Sequence, residues 1–272
     1  MLESETLEAM AEELVGVRGV VAVFLGGSRA HGTARADSDV DLGLYYRRPL
    51  DVDALRDLGR TWSGRETAVT EPGDWGPWVD GGAWLSVQGT PVDWLYRDVD
   101  RVHASWEQAR AGRYTFHAQT GHPLGVPDFA YAGEVALGVP LADPTTELSR
   151  LHQAAHSYPE ALASALVSGL WEASFLLDNA RKAVSREDST YVAGCLFRVV
   201  GLCAHAVHGA SRTWLVNEKG AIAAAGRLPC APPGFASRAH RLLAEVGSTA
   251  AQLADTLDTA AALVQDVLSQ CR

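Results

Sequence analysis

Gly26, Gly27 and Ser28 follow directly on the apolar run 20–25, and after ten intervening residues Asp39 and Asp41 stand on either side of Val40. Backbone N–H groups at a glycine-rich strand-to-helix turn come close to a phosphate because no Cβ intervenes, and a helix N-terminus adds a favourable dipole. Ser28 offers a hydroxyl to the same phosphates, and Arg29, next to the turn, is a further candidate contact. Asp39 and Asp41 are two apart in a strand-like context, so both side chains point to one face while Val40 and Leu42 point to the other. Two carboxylates beside bound phosphates make an oxygen-rich site for Mg²⁺. Two such ions would activate an attacking hydroxyl and stabilise departing pyrophosphate. A third carboxylate is wanted on a neighbouring strand. Asp93, inside Pro91-Val92-Asp93-Trp94-Leu95, is the candidate, because an acid in an otherwise apolar strand costs stability unless it binds something. The set is what is needed to hold a nucleoside triphosphate by its phosphates beside two metal ions.

The flanking periodicity supplies elements to position these groups. Residues 4–17 read as an amphipathic helix, with Leu7, Met10, Ala11 and Leu14 along one side. Residues 20–25 are a β-rich run short enough for a buried strand. A short helix starts at 28–32, 39–46 is the next strand, and 51–62 is a helix. Residues 67–70 read as a short strand. The loop 71–82 carries Trp75 and Trp78, and either folds back on the core, the expectation, or forms a lid over a site. Residues 84–88 and 92–96 form a hairpin pattern. A helix at 97–110, a strand at 113–119 and a tight loop at 121–125 follow. Beyond Pro144 strand signals vanish, and helices are expected near 145–157, 159–183, 187–208, 211–225 and 235–269, with Pro229, Pro232 and Pro233 separating the last two. Trp171, Phe175 and Leu176 share one apolar face and are read as core. His31 and His122, beside the loops, are read as structural or surface groups.

The 272 residues suffice for one large or two ordinary domains. No uninterrupted apolar stretch approaches the ~20 residues of a membrane span. The acidic start without a basic segment, and four cysteines with no CxxC pair, lead to the expectation of a cytoplasmic protein with idle thiols. Net charge is −10. Residues 1–145 carry 22 acidic and 12 basic side chains, and 146–272 carry 11 of each. Acidic surface without Lys/Arg clusters disfavours a long polyanion as partner and suits a cationic or neutral small substrate.

Gly27-Ser28, ten residues and Asp39-Val40-Asp41-Leu42 resemble the signature of the DNA polymerase β-type nucleotidyltransferase superfamily, and Asp93 fits its third acid. The likeness spans residues 20–96. It is closest to small bacterial nucleotidyltransferases with a helical C-terminal domain, a group that includes aminoglycoside nucleotidyltransferases; the helical half matches in architecture alone. The resemblance implies that Gly27 and Ser28 hold the triphosphate, that Asp39 and Asp41 bind metal, and that Asp93 is a metal ligand or the base; Gly26 and Arg29 beside the turn are further candidate nucleotide contacts. Arg198 and His205 share a helix face at a spacing that resembles the ribonuclease motif of HEPN domains, and are read as structural.

The expected fold is α+β, a mixed β-sheet nucleotidyltransferase domain at 1–143 followed by an all-α helical bundle at 144–272. The expected activity is Mg²⁺-dependent, with two ions. It moves a nucleoside monophosphate, AMP from ATP or its equivalent from another NTP, to a hydroxyl of a small-molecule acceptor in the interdomain cleft, and pyrophosphate leaves. An aminoglycoside-type antibiotic is one such acceptor, which would make the protein an agent of antibiotic resistance. No nucleic acid or membrane partner is expected, and a homodimer is left open. Two other readings stay open: a protein hydroxyl as acceptor, as in AMP-adding antitoxins, and a nucleotide-binding module without turnover.

Overall fold

A computed structural model of the chain describes residues 2–30, 32 and 38–271. The elements of the first part are α1 (Ser4–Val15), β1 (Val20–Leu25), α2 (Gly27–Ala30), β2 (Val40–Tyr46), α3 (Val52–Ser63), β3 (Gly82–Val87), β4 (Thr90–Asp98), α4 (Val99–Arg110), β5 (Phe116–Gln119), β6 (His122–Pro127), α5 (Ala130–Leu137), β7 (Val139–Ala142) and α6 (Glu147–Ala155). Then come α7 (Glu160–Ser168), α8 (Trp171–Arg181), α9 (Ser189–Ala210), α10 (Ala221–Ala225), α11 (Phe235–Ala244) and α12 (Ala250–Gln270). The chain divides into two compact units. One comprises Met1–Gln108 and His117–Ser157, the other Ala109–Phe116 and Tyr158–Arg272.

The first unit is built on a five-stranded sheet in the order β3-β4-β2-β1-β7. β2 and β4 run parallel and the remaining pairs are antiparallel, so the sheet is mixed, as expected. Alternation along the strands divides the side chains between two faces. Val40, Leu42 and Leu44 of β2, Val92, Trp94 and Tyr96 of β4, and Ala83, Leu85 and Val87 of β3 join Leu7, Met10 and Leu14 of α1 and Leu55 of α3 in one core. On the other face, Ala22, Phe24 and Tyr45 pack with Val99, Val102, Tyr131, Val135 and Leu148 from α4, α5 and α6. Asp41 and Asp93 stand on that second face and are each partly exposed.

The sequence signals fail where prolines and short pairings intervene. The expected strand at 67–70 is a single bridge, Val69 to Ala83. The expected tight loop at 121–125 is instead the start of β6, which pairs with β5 in a two-stranded ribbon. Its two prolines and glycine read as turn signals, yet a two-stranded ribbon leaves an edge where proline is tolerated. β7, with Pro140 inside it, is an edge strand for the same reason.

The second unit is helical. α9 is its axis: Val192, Leu196, Val199, Cys203, Ala206 and Val207 lie in a core shared with Leu253, Leu257, Leu263 and Val264 of α12. α9 has the length and apolarity of a bilayer-crossing helix, but most of it is buried within this unit. Asp188 caps it by accepting from the Tyr191 N–H at 3.0 Å. The expected helix at 235–269 is interrupted at Gly247, and Thr249 and Gln252 form a capping box that restarts it as α12.

One expectation is corrected here. Trp171 and Phe175 are not core residues; they are 68% and 57% exposed. α8 buries Ala173, Leu177 and Ala180 instead. Trp171 and Phe175 each precede a buried position by two residues, about 200° around a helix, so turning Ala173 and Leu177 inward turns the aromatics outward.

Candidate active site in the sheet unit

Pairing sets four strands' residues in one row. Asp41 of β2 is the register partner of Asp93 of β4, and Asp93 is in turn the partner of Trp84 of β3. On the other flank of β2, the Gly26 N–H donates to the Asp41 carbonyl at 2.8 Å. Neighbouring strands lie about 4.8 Å apart and paired residues project to the same side. The row therefore runs from the glycine turn through Asp41 and Asp93 to Trp84. Asp39 sits exposed, immediately before β2 begins.

The turn needs one of its two glycines. Gly27 has φ +59°, and a Cβ there would stand 1.8 Å from Asp41 Oδ2. The Asp41 carboxylate thus lies directly against the Gly27 backbone, an approach no other residue permits. A Cβ at Gly26 would meet nothing closer than 3.7 Å. Its N–H is already committed to the sheet, so its role is to lead the chain into α2. Arg29 is also occupied: Nε donates to the Asp39 carbonyl at 2.9 Å, and Nη2 donates to the Ser38 carbonyl. It ties α2 to the residues that enter β2. His31 lies outside the described residues.

Asp93 is half-buried, and its carboxyl is raised to about 6, first by burial and then by the charges of Asp41 and Asp39. Three acids are thus close enough to repel one another, and a cation among them would relieve that repulsion. Among the described residues no three groups close into a ready-made metal cage. Mg²⁺ does not require one, since it usually takes one or two carboxylates and completes its shell with substrate phosphates and water. The hard oxygen donors of Asp39, Asp41 and Asp93 beside an open turn fit that mode.

Beneath the acids the same face closes. Arg97, two residues after Leu95, is 7% exposed. Its Nη2 donates to Glu134 Oε1 at 2.8 Å, Nε donates to Oε2, and Nη1 donates to the Tyr96 carbonyl at 2.8 Å. The ion pair anchors α5 under the site.

The aromatic side of the row was only partly legible. Trp78 packs as expected, stacked on His117 at 4.2 Å and edge-on to Tyr131. Trp75 does not go with it. It stacks on Trp84, ring centroids 4.3 Å apart and 18° from parallel, and Trp84 is 63% exposed. The signal for Trp84 is in the alternation: Ala83, Leu85 and Val87 share the buried face, which leaves Trp84 and Ser86 on the side of the acids. In the helical unit, Arg198 pairs with Glu172 at 2.5 Å and His205 is buried against Phe116, a structural arrangement.

Residues 4–68 match the model of the nucleotidyltransferase domain family. No curated protein sequence matches the chain. A solved structure described as a nucleotidyltransferase-like protein from Exiguobacterium sibiricum 255-15 is 12% identical, with a TM-score of 0.42 over 96% of this chain and 74% of that one. At that score the likeness decides nothing. The family match contains the turn at Gly27, Asp39 and Asp41, and it supports nucleotidyl transfer as the reaction class.

Proposed function

We propose that this chain moves AMP from ATP, with Mg²⁺, to a hydroxyl of a small-molecule acceptor, releasing pyrophosphate. The observation that carries the reading is the register of one row, in which the Gly27 turn, Asp41 and Asp93 are successive neighbours across three strands. The Gly27 and Ser28 backbone and the Ser28 hydroxyl face the β- and γ-phosphates. The carboxylates of Asp39 and Asp41 hold the metal, and Asp93 completes the oxygen set or takes the acceptor's proton. When bound, Mg²⁺ neutralises phosphate charge and favours loss of pyrophosphate. The acceptor oxygen forms a bond to the α-phosphorus, the bond from that phosphorus to the bridging oxygen breaks, and the acceptor proton passes to Asp93 or to water. Gly26 and Arg29 shape the turn. The acidic first half of the chain favours a cationic acceptor, with an aminoglycoside-type antibiotic as the leading candidate.

The test is incubation with ATP labelled at the α-phosphate, Mg²⁺ and a panel of aminoglycosides, reading pyrophosphate and labelled small solutes. Label on a small acceptor is expected, and chelation of Mg²⁺ should abolish it. Asp39→Ala and Asp41→Ala should each lose transfer while keeping the folded spectrum. Retained metal-dependent transfer in both variants would overturn the site assignment. Pyrophosphate from no nucleotide with any acceptor would overturn the activity.

A further inference from the structure

Trp84 is largely exposed although it stacks on the half-buried Trp75. Trp84 stands on an edge strand with 63% of its surface open, although Ser86 shows that the same face tolerates a small polar residue. The loop that carries Trp75 is held firmly. Gln119 Oε1 accepts from the N–H groups of Trp78 at 2.9 Å and Val79 at 3.1 Å, and its Nε2 donates to the Trp75 carbonyl at 2.8 Å. Gly76, at φ +131°, lies so close to that amide that a Cβ would be 2.6 Å from Nε2. The Arg101 guanidinium donates to the Pro77 carbonyl in the same loop. A fixed stack of two rings, with Trp84 largely in solvent, thus lies one strand beyond Asp93.

Its position in the row assigns it to one substrate. Attacking and leaving oxygens lie roughly in line in phosphoryl transfer. The phosphates that leave sit at the Gly27 end of the row, so the attacking hydroxyl enters from the opposite end, where Trp84 follows Asp93. We infer that the Trp75–Trp84 stack is the acceptor platform, and that it takes a cationic cyclic polyol, the ring lying on the indole face with an ammonium group toward the carboxylates of the row. The chemistry is complementary on both counts. The C–H face of a saturated ring packs on an aromatic plate, and an ammonium group gains from both the indole quadrupole and the acids. This assignment rests on the nucleotidyl-transfer reading of the same row.

Calorimetric titration of the full chain tests it, with kanamycin and 2-deoxystreptamine as cationic ring probes, myo-inositol as the neutral one, and ATP with Mg²⁺ titrated separately. Kanamycin should bind the wild type more tightly than myo-inositol. Trp84→Ala should weaken kanamycin by about tenfold or more, leave ATP within about twofold, and keep the wild-type unfolding temperature because the side chain is exposed. Trp84→Phe should restore most of the affinity, and Trp75→Ala should give an intermediate loss. Three results would overturn the platform: unchanged kanamycin affinity in Trp84→Ala, loss of ATP affinity in that variant, or a wild type that binds none of the ring probes. A wild type that binds the ring probes but neither binds ATP nor releases pyrophosphate would instead refute nucleotidyl transfer. The ring-probe titration of Trp84→Ala would still decide whether the plate binds the ring.

Discussion

On β2, Val40, Leu42 and Leu44 are fully buried on one face of the sheet, while Asp41 points to the other, and on β4 Val92 and Trp94 flank Asp93 in the same way. The two faces use the same strands and the same hydrogen bonds. They differ in how far they are closed: the residues that meet α1 and α3 on the first are fully buried, whereas on the second, packed by α4, α5 and α6, Asp41 and Asp93 stay partly exposed. The closed face spends its residues on burial. The open face places acids at two adjacent positions, and there partial burial, then the charges of Asp41 and Asp39, lift Asp93 to about 6. Such an arrangement is costly unless something of opposite charge binds, so the difference between the faces marks the site better than either acid alone.

Neighbouring substitutions on β2 separate the faces with the largest contrast. Asp41→Asn should lower transfer on the order of a thousandfold, the scale of losing one preorganised electrostatic group, with little change in unfolding free energy. Leu42→Ala should do the reverse. It should cost about 2–5 kcal/mol of stability while activity per folded molecule stays near the wild-type value. Denaturant unfolding and initial rates on the same two preparations check both. Equal losses of activity in the two variants would erase the distinction.

Arg97 probes the boundary where the open face closes. Arg97→Met leaves Glu134 facing a largely buried site without its partner and should cost about 3 kcal/mol, toward the lower end for breaking a buried ion pair because Glu134 keeps some solvent. The double variant Arg97→Met with Glu134→Leu should recover most of that loss. Urea midpoints measure it, and a double variant no better than the single one would show that the pair acts through more than its charge.

The helical unit offers the opposite use of buried titratable groups. His205 is held down at about 3, by burial and then by His208, and His208 at about 4, by burial against a smaller opposing effect of Thr213. Both are therefore neutral when folded and titrate near 6.5 when unfolded. Above pH 6.5 their contribution to stability is complete. As pH falls below 6.5 the unfolded chain takes up protons that the folded chain refuses. Stability should then drop by up to about 1.4 kcal/mol per pH unit for each histidine, levelling off as pH passes the folded values near 4 and 3. Unfolding free energies between pH 7 and 5 should show that slope, and His205→Gln should flatten it. A slope unaltered by the substitution would place the pH sensitivity elsewhere.

Much of the sheet unit was legible in the sequence because its signals are local. The run 20–25 is β1 to the residue, and β2 begins one position later than its pattern suggests. Asp93 stood out because an acid is costly in an apolar strand. What the sequence did not show is adjacency. The hairpin pattern put β3 beside β4, but that Asp93 is the direct neighbour of Asp41 on one side and of Trp84 on the other depends on the parallel pairing of β4 with β2 and on the hairpin's register. No local period encodes that order. The same limit explains β7, which pairs with β1 from more than a hundred residues away. Gly26 and Arg29 show a finer limit: the hydrogen bonds that hold them, from the Gly26 N–H to the Asp41 carbonyl and from the Arg29 Nε to the Asp39 carbonyl, emerge only in the folded turn.

The smallest effect tests the same reasoning on a helix. α8 carries apolar residues on two sides, and periodicity alone does not decide which side is core; the fold turns Ala173, Leu177 and Ala180 inward. Trp171 then meets Phe175 at 6.2 Å between ring centroids, both largely in solvent. Removing an exposed indole forfeits little burial, so Trp171→Ser should change stability by about 0.5 kcal/mol or less. Phe235→Ala, at the 1% exposed start of α11, should cost about 3–5 kcal/mol in the same unit. Urea unfolding of the two variants side by side makes the comparison. A loss at Trp171 as large as that at Phe235 would mean that α8 is rotated toward the core from where the structure places it, with Trp171 and Phe175 on its buried face.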